Sequence, residues 1–256
     1  MKKFKHSGTT GDIILSLPLV KYLGGGEFYL HLDQIDSICV RQWGVSAIPF
    51  HSGRMNQQDF DFMKDFMLAQ EYITKFDVLD VQTTEITHNL DRFRDLFNQY
   101  QYNYIDVYSK TFKINDPVIQ AQIRQTPWLT VPNTVILKDR NVIINRTERY
   151  LPAKLNSQWN TWKEQGLENE SVFVGLPHEY ELFRKSVNWD IPYVETKTML
   201  ELASIIAGCK YFIGNQSQCL TLAMGLGIPF YCELRPNPTG LKNEIVFEDL
   251  KTANYF

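Results

Sequence analysis

The chain has 256 residues and a mass of 29.9 kDa, which suits one large domain or two small ones. A hydrophobic share of 44% against 21% charged residues excludes a disordered, collagenous or coiled-coil chain. Twenty-six basic and 29 acidic residues leave a formal charge of -3, which excludes a broad nucleic-acid surface, and no apolar run approaches the roughly 18 residues of a membrane span.

The basic start, Met1 to His6, lacks the apolar stretch of a signal peptide. Cys39, Cys209, Cys219 and Cys232 form no Cys-x-x-Cys pair and no zinc-finger spacing, so they read as reduced core residues of a cytoplasmic protein. Residues 3–6 predict a short strand running into the glycine- and threonine-rich turn Ser7-Gly8-Thr9-Thr10-Gly11. A helix over 12–23 follows, with Pro18 predicting a kink or a short first turn, and then a strand at 28–32. Helix is expected again over 59–72 and 90–100, with a strand at 76–81 between them. Pro117, Pro127 and Pro132 crowd residues 116–133, and this run sets the expected domain boundary, giving domains 1–135 and 136–256.

Beyond it, residues 141–144 and 171–176 predict buried strands. A helix over 198–207 has Met199, Leu202, Ala203 and Ile206 on one face, Thr198 or Thr196 as its cap and Gly208 as its stop. A strand at 210–214, a polar turn, a helix over 219–226 and a strand at 228–232 complete a parallel βαβ unit. The expectation is two α/β lobes.

Four turns carry polar groups at the ends of strands, each with a structural and a functional reading. Asp12, closing the Ser7–Gly11 turn, is either a helix cap or a carboxylate poised as a general base. Arg146 and Arg149, after the strand at 141–144, sit where phosphates bind in doubly wound sheets, or else on a solvated loop. In Gly175-Leu176-Pro177-His178-Glu179 the glutamate either meets ribose hydroxyls or answers a helix dipole. Gly214-Asn215-Gln216-Ser217-Gln218 opens a helix whose free N–H groups suit a diphosphate or sugar. Asp59-Phe60-Asp61 matches the Asp-x-Asp of metal-dependent sugar transferases but reads as an acidic helix start, and Tyr100, Tyr102, Tyr104 and Tyr108 read as packing residues.

Taken in order, these motifs resemble the ADP-heptose:lipopolysaccharide heptosyltransferases of glycosyltransferase family nine. The run from Ser7 to Pro18 is similar to the family's opening, where a Gly-Asp pair (here Gly11-Asp12) precedes a helix with Leu-Pro near its first turns. The resemblance implies a GT-B fold: two Rossmann-like lobes with parallel sheets facing a central cleft, here with a trimmed N-terminal lobe on the acceptor side and a C-terminal nucleotide-sugar lobe. It implies Asp12 as the base, with Thr9, Thr10 and Gly11 beside it, and Arg149 facing the donor phosphates; Arg146, three residues earlier, joins the nucleotide-binding candidates on the residue reading alone. It further implies Gly175, Pro177 and Glu179 at the ribose, and the backbone of Thr198, Met199 and Leu200 at the base of the nucleotide. Gly214, Asn215, Gln216, Ser217 and Gln218 then stand where the family has Gly-Asn-Asp-Ser-Gly, with Gln216 replacing the acid, Gln218 the last glycine and Thr221 a histidine. The implied function is metal-independent, inverting transfer of a sugar from a nucleotide-diphosphate sugar to a hydroxyl of a glycan or other acceptor, with no cofactor. The alternative is a catalytically inactive sugar-nucleotide or glycan-binding relative. A Rossmann dehydrogenase is disfavoured because the Gly-x-Gly-x-x-Gly fingerprint is absent.

Overall fold

The computed structural model describes residues 1–33, 55–96, 103–125, 127–152, 154–234 and 251–256. Cys39, Tyr100, Tyr102 and the end of the expected helix at 97–100 lie outside the described residues. The chain divides into two compact units, Met1–Gln125 and Thr126–Phe256. Segment 127–135, short of the boundary expected at 135, is bonded into the second unit. There the Trp128 and Leu129 N–H groups both donate to the Gly225 carbonyl (2.9 and 3.0 Å) and Val135 N–H donates to the Ser204 carbonyl (3.0 Å).

The first unit contains β1 (Lys3–His6), α1 (Thr10–Tyr22), β2 (Gly26–Leu30), α2 (Gln57–Leu68), β3 (Ile73–Val78) and β4 (His88–Asn89). A 3-10 helix (Leu90–Leu96), α3 (Tyr104–Thr111) and α4 (Pro117–Arg124) follow. The strands are parallel in the order β3-β2-β1-β4. Strand alternation turns Phe4 and His6 of β1 to the core and leaves Lys3 and Lys5 half-buried. Every residue of α1 from Ile13 to Val20 is buried, so this helix is covered on more than one side; α3 and α4 pack against it. It also runs on through Pro18. Phe60 of α2 stacks on Phe76 of β3 with ring centroids 5.0 Å apart.

The second unit contains β5 (Val142–Asn145), a 3-10 turn (Glu148–Tyr150), α5 (Gln158–Glu164), β6 (Ser171–Val174), α6 (Pro177–Val187) and β7 (Tyr193–Val194). Then come α7 (Met199–Ala207), β8 (Tyr211–Gly214), α8 (Gln218–Leu226), β9 (Phe230–Cys232) and β10 (Ala253–Tyr255). All six strands are parallel, in the order β10-β9-β8-β5-β6-β7. Trp159, Phe173, Phe183 and Trp189 form the aromatic heart of its core; each fully buried aromatic contributes roughly 3 kcal/mol of transfer free energy.

In each sheet the first strand of the unit lies between neighbours reached by crossovers in opposite directions: β1 between β2 and β4, and β5 between β6 and β8. At such a switch point the loops leaving the two adjacent strand ends diverge and leave a crevice for ligands. Of the four turns the sequence marks as polar, three follow β1, β5 and β8 at these switch points, and the fourth follows β6, the other neighbour of β5.

Candidate functional site

At the first switch point, Thr9 caps α1. Its Oγ1 accepts from Asp12 N–H (3.5 Å) and the Asp12 carboxylate Oδ2 accepts from Thr9 N–H (3.0 Å), a reciprocal capping box. Asp12 is therefore a helix-start residue, yet its side chain stays 18% exposed and its Oδ1 has no hydrogen-bond partner among the described residues. Arg94 Nη2 lies 3.8 Å from Asp12 Oδ2, and Arg94 Nη1 is 3.0 Å from Asp91 Oδ1. Asp91 bridges the switch point, because its Oδ1 also accepts from Ser7 N–H (2.8 Å) in the loop after β1. Burial alone would raise the Asp91 carboxyl, but His6, Arg94 and Lys5 beside it, with the Ser7 N–H, hold it below the usual range. Thr10 and Gly11 form the first turn of α1.

At the second switch point Asn145 and Gly214 are paired at the ends of β5 and β8. Asn215 spans the diverging loops: its Oδ1 accepts from Thr147 N–H (2.9 Å) and its Nδ2 donates to the Thr147 carbonyl (2.8 Å). Ser217 caps α8 through Oγ, which accepts from Leu220 N–H (3.3 Å). Arg149 stands exposed on the 3-10 turn after β5, its guanidinium over the Tyr150 ring at 5.1 Å. On the neighbouring strand end, Gly175 adopts a φ of +126°, and a Cβ there would lie 2.3 Å from Asn145 Nδ2 and 3.0 Å from Glu179 Oε2. Pro177 opens α6, and Glu179, in its first turn and 8% exposed, accepts from Leu176 N–H through Oε2 (3.1 Å). Its Oε1 makes no hydrogen bond among the described residues.

The expected site residues thus fall on the carboxyl ends of the two sheets. Thr9 to Asp12 lie in the first unit; Arg149, Gly175, Glu179, Asn215, Gln216, Ser217 and Gln218 lie together in the second. Thr198 caps α7 by accepting from Glu201 N–H (3.2 Å), Leu200 is half-buried, and the Met199 side chain is wholly in the core, so that turn can offer a ligand little but backbone. Arg146 differs from the expectation of a phosphate contact. It is 4% exposed and forks onto the fully buried Glu233, with Nε–Oε2 at 2.6 Å and Nη2–Oε1 at 3.3 Å. Trp159 Nε1 donates to the same carboxylate (3.0 Å). A buried arginine held on a buried carboxylate is fold structure, since separating the pair would strand a charge in the core. Asp59 and Asp61 open α2, where Asp59 forms a capping box with Asn56. Among the described residues no group of three or more His, Cys, Asp or Glu side chains is set to hold a metal ion. The Cys209 thiol is pushed up to about 12 by burial, and burial pushes Cys219 and Cys232 higher still, so none offers a thiolate.

Sequence reasoning passed over Asp91, Arg94, His6 and Glu233, and read Tyr108 as a packing residue only. For His6 a signal existed: it occupies the inward phase of β1 beside Phe4, where a polar residue requires a buried partner. The others are brought in from distant segments.

No protein-family model matches the chain, and no curated protein sequence does. Solved structures do share its fold. A glycosyl transferase family 9 protein from Veillonella parvula superposes with a TM-score of 0.59 at 12% identity, covering 99% of this chain and 84% of its own. The E. coli ADP-heptose lps heptosyltransferase II gives 0.50 at 15% identity, over 100% of this chain and 90% of the other. The iron-containing dodecameric glycosyltransferase TibC of enterotoxigenic E. coli gives 0.53 at 15% identity, over 90% of this chain but 57% of TibC. The chain has the GT-B-like α/β fold, with parallel sheets, of these sugar-transferring proteins.

Proposed function

We propose that this protein is a glycosyltransferase that moves a sugar from a nucleotide-diphosphate sugar to an acceptor hydroxyl, with inversion and without a metal. The observation that carries the reading is the second switch point, where an exposed arginine and the capped start of α8 flank the end of β8. A cation fork and the positive end of a helix dipole are complementary to a diphosphate, and Glu179 Oε1 to ribose hydroxyls. The donor lobe is thus residues 126–256, and Arg149 takes the diphosphate role for which Arg146 is no longer available. ADP-heptose, which the E. coli heptosyltransferase carries in its name, is the first donor to test.

In the reaction the acceptor oxygen attacks the anomeric carbon from the face opposite the diphosphate. The bond between that carbon and the phosphate oxygen breaks, and its electron pair leaves with the nucleoside diphosphate. The acceptor proton passes to Asp12 Oδ1, while Oδ2 stays on Thr9 N–H. Arg149 and the α8 N–H groups stabilise the charge growing on the leaving group, where preorganised donors lower a barrier most. Gln216, uncharged where the resembling family carries an acid, favours the second reading of a non-catalytic binder of sugar nucleotides.

Asp12→Asn separates the two. Asparagine keeps an oxygen for the Thr9 N–H and loses the basic site, so the fold and donor binding persist while turnover falls by about 10²–10⁴. Wild-type turnover in the variant removes Asp12 as the base. A wild-type protein that binds nucleotide sugars but transfers nothing to any acceptor establishes the binder.

A further inference from the structure

Behind Asp12 lies a chain of buried polar groups that the transfer step itself does not use. Gly8 N–H donates to His6 Nδ1 at 2.7 Å. A ring nitrogen that accepts an amide proton carries none, so the imidazole proton sits on Nε2. His6 Nε2 is 2.7 Å from Tyr108 Oη and donates to it, and the Tyr108 hydroxyl donates onward to the Asp12 backbone carbonyl at 3.0 Å. His6 and Tyr108 are both 0% exposed. Tyr108 belongs to α3, 96 residues along the chain from Asp12. Burial keeps its phenol protonated, well above the ordinary value, and so keeps it a donor.

A second feature converges on the same point. A Cβ built on Gly8 would lie 2.5 Å from His6 Cε1, 2.7 Å from Asp12 Oδ2 and 2.9 Å from Arg94 Nη2. Three side chains therefore meet over one α-carbon, and only glycine leaves room for them. The imidazole is in van der Waals reach of this cluster, and the groups facing it are Asp91 (Oδ1 at 3.5 Å from Nδ1), Arg94, Asp12, Lys5 and Tyr108.

We propose that Tyr108 and His6 are positioning residues for the base: through the Asp12 carbonyl on one side and the Gly8 backbone on the other, they hold the start of α1 in one arrangement, so that the Asp12 carboxylate is presented with Oδ1 outward. This rests on the reading of Asp12 as the general base. A reacting group displaced by about 1 Å can lose 10²-fold in rate. Neither residue lies in the unit that carries the candidate donor groups, so the chemical step, rather than donor affinity, is what they serve.

The test uses the full chain, with ADP-heptose and a panel of other nucleotide-diphosphate sugars as donors and release of nucleoside diphosphate as the readout. Tyr108→Phe and Asp12→Asn are measured side by side. The expected result is a 10- to 100-fold lower kcat in Tyr108→Phe with the donor KM within about twofold of wild type, and a larger kcat loss in Asp12→Asn. An inactive Asp12→Asn beside a Tyr108→Phe with wild-type kcat overturns the positioning role and leaves the base standing; a fully active Asp12→Asn overturns both. Should Tyr108→Phe fail to fold, nitrogen-15 histidine spectra of the wild-type protein decide, with His6 assigned through His6→Gln. The expected spectrum shows His6 neutral with its proton on Nε2 at pH 6; a proton on Nδ1, or an imidazolium at that pH, breaks the chain of bonds and overturns the proposal.

Discussion

His6 shows how one buried side chain ties local geometry to solution behaviour. Removal from water disfavours the imidazolium, and its pKa is lowered from 6.5 to about 4, with Arg94 and Lys5 adding to the effect and Asp91 and Asp12 opposing it. The folded chain therefore binds fewer protons than the unfolded chain between these two values. Stability from this group is complete above pH 6.5 and is lost as pH falls towards 4, after which both states are protonated. The loss is on the order of 3 kcal/mol, since each tenfold change in the proton-binding equilibrium is worth about 1.4 kcal/mol. His31 and His88, also lowered by burial, act in the same direction, so the comparison that isolates His6 is with His6→Gln. Urea unfolding at pH 7 and pH 4.5 is expected to show a steeper decline for wild type than for the variant. Parallel declines would place His6 in water, against the structure.

The elements carry their start signals openly. Thr9, Asn56, Thr198 and Ser217 each precede a helix and each side chain takes an N–H from its first turn, as N-cap chemistry requires. Strand limits are less legible: β3 begins at Ile73 rather than at 76 because it pairs with β2 from Gly26 onward, a partner choice invisible in the segment itself. The β6–α6 turn is tightly constrained. Gly175 holds a left-handed φ of +126° while the Asn145 amide, fixed on the Val174 carbonyl at 2.9 Å, occupies the space of its missing Cβ. Gly175→Ala is expected to destabilise the protein by on the order of 3 kcal/mol, the sum of backbone strain and a displaced buried amide. Gly11→Ala is the control, since the nearest atom to a Cβ there is Thr9 Oγ1 at 4.0 Å. Equal midpoints for both variants in chemical denaturation would contradict the geometry of the turn.

At the scale of the molecule, two sheets of the same winding place their polar loops at equivalent points, and the second carries an exposed arginine beside a helix start. A nucleoside diphosphate that binds there stabilises the folded protein by mass action, about 2.7 kcal/mol at a hundredfold excess over Kd. A two-unit chain need not unfold in one step, so the shift is expected in the transition of the second unit. Arg149→Ala is expected to weaken that binding by about 1.5–3 kcal/mol, the worth of a charge-assisted hydrogen bond, and so to remove most of the shift. An undiminished shift in calorimetric scans of the variant would take Arg149 out of the site.

The sequence by itself determined the alternation of strand and helix, the helix caps and the positions of the polar turns, because these depend on periodicity and on side chains bonding backbone a few residues away. The order of motifs along the chain likewise pointed to the fold that the solved structures share. What only tertiary structure decided is which of those polar groups face outward. Arg146 and Arg149 share the stretch after β5 and one chemistry. Yet Glu233, 87 residues further along the chain, joins Trp159 in turning the first into core, while the second stays exposed. Asp12 acquires Arg94 and the Tyr108 hydroxyl in the same way. Local pattern encodes what a residue can bond to; the parallel sheet, which assembles strands distant in sequence, selects the partner it meets.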